Sequence, residues 1–372
     1  FFVNVTGEDG AQLPIAPADM TIEEDGRPPY IQNWQFSVQR QLGESLVVDA
    51  AYVGSKGTRL ASQNLRPNQL PPELLKYRDI LNANITSQAA QDAGFLPPYA
   101  GFSGTVAQAL RPFPQYRTIG VPAETLGNST YNSLQLQLRK RFSHGLQLSA
   151  AYTFSKKLTD SGESQIQGQN GGPMDAYNLR LEKAVSYDDP QHVLAIGYSY
   201  ELPIGRDKAL NITNPVANAI IGGWQMSGML RYQGGFPLRI GGGFGLPIFS
   251  GNRPTYTGEP IRTAVDRGSF DPAKDVWLNR AAFANGDRFS FGNVPRTVPA
   301  RGFPFHDENI GLLKNFFFGE KVKLEYRAEF YNVLNRVNFA IPVTDSNSPN
   351  FGRVTSQLGN PRQMQMGLRL SF

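Results

Sequence analysis

The sequence predicts an all-β chain, a transmembrane antiparallel up-and-down β-barrel of which about nine strands are present. Three observations predict it: apolar and polar residues alternate one for one along nine segments, the links between segments alternate short and long, and no stretch approaches the roughly 20 unbroken apolar residues of a membrane helix. The 372 residues hold 38 Gly, 27 Pro and no Cys, with 40% hydrophobic and 18% charged. That balance is too Gly-rich for a helical bundle and too ordered for a disordered chain. All-β barrels run well past the average domain length, so a single large domain is allowed. A mean hydropathy of −0.35 reads as water-soluble, yet a barrel strand needs apolar residues only at every second position, facing lipid. The absence of Cys fits a periplasmic folding route, where stray thiols are oxidised.

In chain order, the first strand sets Trp34, Phe36 and Val38 against Gln35, Ser37 and Gln39, and a second lies near Leu46 to Lys56. The third is the clearest, Leu134-Gln135-Leu136-Gln137-Leu138-Arg139. On a helix those leucines would scatter around the axis, whereas on a strand they form one apolar face. A fourth strand carries Leu146, Leu148, Ala150, Tyr152 and Phe154; a fifth Leu194, Ile196, Tyr198, Tyr200 and Leu202; a sixth Trp224, Met226, Gly228, Leu230 and Tyr232. A seventh is expected near Asn309 to Phe318. The eighth alternates Val322, Leu324, Tyr326, Ala328 and Phe330 with Lys323, Glu325, Arg327 and Glu329, and the ninth alternates Met364, Met366, Leu368, Leu370 and Phe372 with Gln363, Gln365, Arg369 and Ser371. Gln135, Gln137, Arg139, Lys323, Glu325, Arg327, Glu329, Gln363, Gln365 and Arg369 are thereby expected to face the lumen or a plug. Trp34, Tyr52, Phe142, Tyr152, Trp224, Phe318 and Tyr326 suit two interfacial aromatic girdles.

Outer-membrane barrels have short periplasmic turns and long outer loops. Here Leu42 to Ser45, Ser143 to Gly145 and Gly319-Glu320 are short. The stretches 58–130, 159–190, 235–308 and 335–362 are long and rich in Gly, Pro, Asn and Asp. The link Pro203 to Ile221 breaks the rule, falling on the short side yet being long. Counted back from the end, this parity brings the final strand down into the periplasm and leaves 1–29 as an outer loop region ahead of the barrel at 30–372. The chain opens Phe1-Phe2-Val3 with no Met and no charged-then-apolar leader, which predicts a piece that starts mid-chain.

Tyr30-Ile-Gln-Asn-Trp34-Gln-Phe-Ser-Val-Gln39-Arg40 and Val48-Asp-Ala-Ala-Tyr52-Val-Gly54-Ser-Lys-Gly57 resemble the barrel of TonB-dependent outer-membrane transporters, particularly the Oar-like subgroup. Tyr131-Asn-Ser-Leu-Gln-Leu-Gln-Leu-Arg139-Lys-Arg-Phe142, Ala151-Tyr-Thr-Phe-Ser-Lys156 and Arg327-Ala-Glu-Phe330-Tyr-Asn-Val-Leu-Asn335-Arg-Val-Asn-Phe339 look like further recurring segments of that subgroup. The resemblance spans Tyr30 to Phe372. It implies a C-terminal portion of a twenty-two-stranded barrel, with a plug, a TonB box and often a carboxypeptidase-regulatory-like domain upstream. It further implies that Phe372, with Leu370 and Leu368 before it, is the signal read by the barrel-assembly machinery. The partners implied are outer-membrane lipid, that machinery, the TonB complex acting through the plug, and a large solute of unidentified kind.

Signs of covalent chemistry are few. His144, His192 and His306 are far apart and none stands at metal-ligand spacing, so they are expected at turns or strand ends and no metal or cofactor is predicted. Gly241-Gly-Gly-Phe-Gly245 matches neither a dinucleotide fingerprint nor a P-loop, and is expected to be a flexible outer loop. Asp188-Asp189 and Asp307-Glu308 precede strands, where loop solvation or weak calcium binding explains them better than acid/base catalysis. Asn84-Ile-Thr86 has no glycosylation meaning in a bacterial outer membrane. The net charge of +5 is scattered, without a run that would track a nucleic-acid backbone. The expected role is TonB-dependent uptake of a large solute at the bacterial outer membrane, not enzymatic. A surface-binding or adhesive barrel without active transport is the alternative, and a soluble β-rich enzyme a third reading with no catalytic pair to support it.

Overall fold

The computed structural model describes residues 20–21, 27–62, 65–116, 119–120, 124–161, 173–247, 251–319 and 321–372. Of the predicted outer stretch 1–29, most lies outside the described residues, as does Glu320. Nine long strands pair in chain order: β1 Tyr30–Leu42, β2 Leu46–Ser62, β3 Glu124–Ser143, β4 Leu146–Thr159, β5 His192–Glu201, β6 Trp224–Gln233, β7 Phe305–Phe318, β8 Val322–Tyr331 and β9 Gln363–Ser371. Every neighbouring pair is antiparallel, and the two-residue strand Ala184–Val185 joins β4 from the side. Among the described residues, β1 and β9 are the two open edges of this sheet. A nine-stranded antiparallel meander of this kind fits part of a barrel.

Register fixes which side chains share a face, because directly opposed residues of an antiparallel ladder point the same way. One line across the sheet runs Val38, Ala50, Leu136, Tyr152, Leu194 and Tyr232. The next line runs Gln39, Asp49, Gln137, Ala151, Ala195, Arg231 and Asp307. The alternation therefore stays in phase from strand to strand. On the apolar face, side chains stand out from the wall instead of packing into a core: Phe36 is 69% exposed, Leu134 43% and Leu368 71%. Gly54 and Gly228 lie on that face beneath the rings of Trp34 and Tyr198, which a Cβ at either glycine would strike.

Hairpin turns close one end of the sheet. His144 and Gly145 both take positive φ, 51° and 78°, the left-handed pair that a two-residue turn matched to strand twist requires. At the opposite end the connections are long, and the buried hydrophobic cores lie there. One core gathers Leu238, Ile240, Trp277, Leu278, Phe283, Val298 and Phe351; the other gathers Leu70, Leu81, Ile85, Phe102, Val106 and Phe289. The stretches 65–116, 234–247, 251–304 and 332–362 thus fold together into a packed cap. Arg78 reaches Asp287 at 3.0 Å across it, and Arg280 donates to the Ser346 carbonyl at 2.7 Å.

Several sequence expectations shift. Asp307 and Glu308 lie inside β7 and do not precede it; Glu308 is 2% exposed and bonded to Arg336 at 2.9 Å. β2 and β3 run on to Ser62 and from Glu124, past the expected limits of loop 58–130. Beyond Thr58 the ladder carries two register shifts, and polar residues replace the alternation, so hydrogen bonding continues where the period-2 signal stops. Gly241 bridges Asp345, and Gly243 at φ 94° packs its Cα against the Arg253 backbone, so this loop is built into the cap. The link between β5 and β6 holds a short parallel pair, Ile204–Gly205 with Leu210–Asn211, and a helix α1, Pro215–Ile221.

Candidate functional site

The polar face of the wall carries the residues predicted to face the lumen. Gln135, Gln137 and Arg139 share it on β3, where Arg139 Nη2 donates to Gln137 Oε1 at 2.9 Å and Gln135 Nε2 to Ser133 Oγ at 3.3 Å. On β8, Lys323, Glu325, Arg327 and Glu329 form one ion-pair row, with Arg327 at 3.1 Å from Glu325 and 3.7 Å from Glu329. Glu325 stands opposite Arg369, Glu329 opposite Gln365 and Tyr331 opposite Gln363 on β9. A shallow cavity of ≈ 260 Å³ lies between Glu325, Arg327, Glu329, Gln365 and Arg369. The β3 group and the β8–β9 group are not contiguous in the sheet, since β4 to β7 separate them. Leu368 and Leu370 fall on the apolar face, and Phe372, one residue past the strand, is 96% exposed.

At the long-loop end of the polar face the wall meets the cap through buried charge. Ser155 of β4 donates to Asp189 Oδ1 at 3.2 Å, and Arg301 approaches Asp189 Oδ2 at 3.7 Å while donating to the Gly235 carbonyl at 3.1 Å. Burial pushes the Asp189 carboxyl above the usual carboxylate range, against the pull of the Lys157 backbone amide, Arg301 and Ser155. Burial likewise lowers Arg301, with Asp189 opposing. Asp188 pairs instead with Lys157 at 3.2 Å. The two carboxylates thus face the protein's own cations, and among the described residues no three metal-ligating side chains gather.

Beside Arg301 opens a cavity of ≈ 340 Å³ that Gln191, Pro299, Arg262 and Arg267 also line. Arg262 and Arg267 both lie over the Trp277 ring, their guanidinium carbons 3.9 and 5.5 Å from its centroid. Trp277 is fully buried and donates its indole N–H to the Arg301 carbonyl at 3.2 Å. Arg262 Nε is buried without a hydrogen-bond partner, and burial first, then Arg267, lowers the Arg262 pKa. Three guanidinium groups line one cavity, with Asp189 set against Arg301 and Asp266 near Arg262; their forked N–H pairs suit a carboxylate, phosphate or sulfate.

Deeper in the cap, Arg253 and Glu182 meet at 2.8 Å with both side chains under one-tenth exposed, and Gln69 donates to Asp175 at 2.8 Å. None of these partners was legible in sequence, because 71 residues separate the first pair and 106 the second, in stretches without periodicity.

A meander with one outward apolar face, one polar face, tight turns at one end and packed long loops at the other is the wall of an outer-membrane β-barrel. The chain belongs to the outer membrane beta barrel domain family, whose sequence profile matches residues 2–365. Its place is the bacterial outer membrane, with the apolar face on lipid. Among solved structures it is similar to the outer membrane transporter YddB from Escherichia coli at 10% identity, covering 95% of this chain and 34% of that one with a TM-score of 0.41. It is also similar to the FrpB iron transporter from Neisseria meningitidis (12% identity, 94% and 32% covered, TM-score 0.38) and to the pyoverdine receptor FpvA from Pseudomonas aeruginosa (12%, 93% and 30%, TM-score 0.37). This chain spans about a third of the length of each. No curated protein matches it in sequence.

Proposed function

We propose that the chain supplies barrel wall and outer cap to a TonB-dependent transporter of the Oar-like subgroup, which takes up a large solute across the outer membrane. The observation that carries this reading is the cationic cavity at Arg262, Arg267 and Arg301, open beside the outer end of the polar face. The cap captures the solute there, and the polar face lines its route. Gln135, Gln137, Arg139 and the β8–β9 charges hydrogen-bond a plug that the TonB complex moves, Gln363 among them at the outer end of β9. The test is uptake and growth in a strain whose full-length protein carries Arg327→Ala and Glu329→Ala together. Transport and protease protection of the plug are expected to fall; both unchanged would overturn the lumen assignment. The packed cap also favours a second reading, a surface-binding barrel without active transport, which solute binding in a strain indifferent to loss of TonB would support.

A further inference from the structure

The link between β5 and β6 is the one turn-side connection that is long, and its helix α1 is apolar on the wrong side for a protein in water. Val216 and Ile220 are 67% and 63% exposed, and Ala219, on the same helical face, is exposed as well. The polar Asn218 faces inward instead, where its Oδ1 accepts the Arg206 amide at 2.8 Å. Gly222 packs so closely on Asn218 that a Cβ would meet its Oδ1 at 2.4 Å. The link is thus a folded unit that holds its apolar face outward.

A lysine fixes where that unit sits. Lys314 shares the lipid face of β7 with Trp224 and Tyr326, the residues opposite it, and a charge there is costly in hydrocarbon. Yet Lys314 is only 3% exposed. Its Nζ donates to the Ile220 carbonyl at 3.0 Å and to the Gly222 carbonyl at 2.5 Å, between the rings of Trp224 and Phe316 at 5.5 and 5.1 Å. Those carbonyls are among the groups a helix C-terminus leaves unpaired. Trp224 Nε1 donates to the Ile220 carbonyl too, at 3.1 Å. The helix end is therefore bound to the outer surface of the wall, continuous with the band that meets lipid, and at the periplasmic ends of β6 and β7.

We propose that α1 is an interfacial anchor, lying in the periplasmic leaflet with Val216, Ala219 and Ile220 in the headgroup and acyl boundary, phospholipid being its partner. The apolar face of an interfacial helix settles roughly 5–10 Å into that boundary; here the polar anchoring comes from Lys314 and Trp224 and not from charges on the helix. Lys314 is the peg: its amine neutralises the helix end and is itself removed from lipid. The inference stands whether or not the barrel transports.

The chain has no Cys, so with any cysteine elsewhere in the full-length protein changed to Ser, single substitutions accept one environment-sensitive fluorophore each. Val216→Cys and Ile220→Cys are compared with Leu134→Cys on the lipid face and Glu259→Cys in the cap, in the full-length protein reconstituted into phosphatidylethanolamine–phosphatidylglycerol vesicles. Lipids brominated near the headgroup end of the acyl chain should quench the α1 labels to within twofold of the Leu134 label, and iodide should quench them less than half as well as the Glu259 label. Adding Lys314→Met should at least double iodide access at Ile220 while leaving the Leu134 label unchanged. Iodide access equal to that at Glu259 would overturn the proposal, as would protection from both quenchers, which marks a protein partner. An unaltered Ile220 label in the Lys314 variant would overturn the role of the lysine.

Discussion

Neighbouring residues on one strand meet opposite solvents, which makes single substitutions decisive. Leu136 and Gln137 are adjacent on β3, one in the apolar line and one in the polar line. Leu136→Arg should lower membrane insertion stability by about 2–4 kcal/mol for a midplane site, whereas Gln137→Arg should be tolerated; refolding yields into bilayers check this, and equal yields would contradict the phase. In the cap, Glu182→Ala leaves Arg253 buried without its carboxylate and should cost the cap about 3–5 kcal/mol, read as faster proteolysis of the outer loops. Asp189 gives the cap a pH dependence. Its carboxyl is raised in the fold, so the native state takes up a proton before the unfolded chain does, and stability from this site rises as pH falls through the window between the raised value and the ordinary one. Asp189→Asn should flatten that part of a cap-melting profile against pH; an unchanged slope would show the site silent.

At the scale of elements, wall and cap are stabilised by different physics. The wall rests on paired strands and lipid contact, the cap on buried apolar clusters. Trp277→Ala removes the fully buried ring under Arg262 and should cost the cap about 3–5 kcal/mol without affecting insertion of β1 to β9, as hydrogen exchange resolved by segment would register. This division also decides what was legible beforehand. The nine strands could be read because hydrocarbon on one side enforces strict alternation, as at Leu134 to Arg139. The cap could not, because Leu70, Ile85 and Phe102 are spaced by turns and short helices whose partners lie far along the chain. The residues of the polar face were legible by phase alone; Arg262 and Arg301 were not, since neither belongs to one of the nine long strands. Of the seven aromatic residues assigned to girdles, Trp224 has a further task as a hydrogen-bond donor to α1, which no periodicity announces.

For the whole molecule, two open edges matter most. β1 and β9 do not pair with each other, and rows of unpaired backbone groups are not tolerated in hydrocarbon. Both edges are therefore expected to be paired once the wall stands in the membrane. Cross-linking of cysteines placed on β1 and β9 in the full-length protein should capture other parts of the barrel and not each other; a direct β1–β9 link would show a small closed pore instead.

Strand length varies around this wall, from 20 residues in β3 to 9 in β9. At about 3.3 Å per residue, β3 is roughly 36 Å longer than β9 along the strand, and since their turns share one end, the surplus emerges on the outer side. The outer rim is consequently uneven: it crests at β2 and β3, falls toward β5 and β6, rises once more at β7 and lies low at β8 and β9.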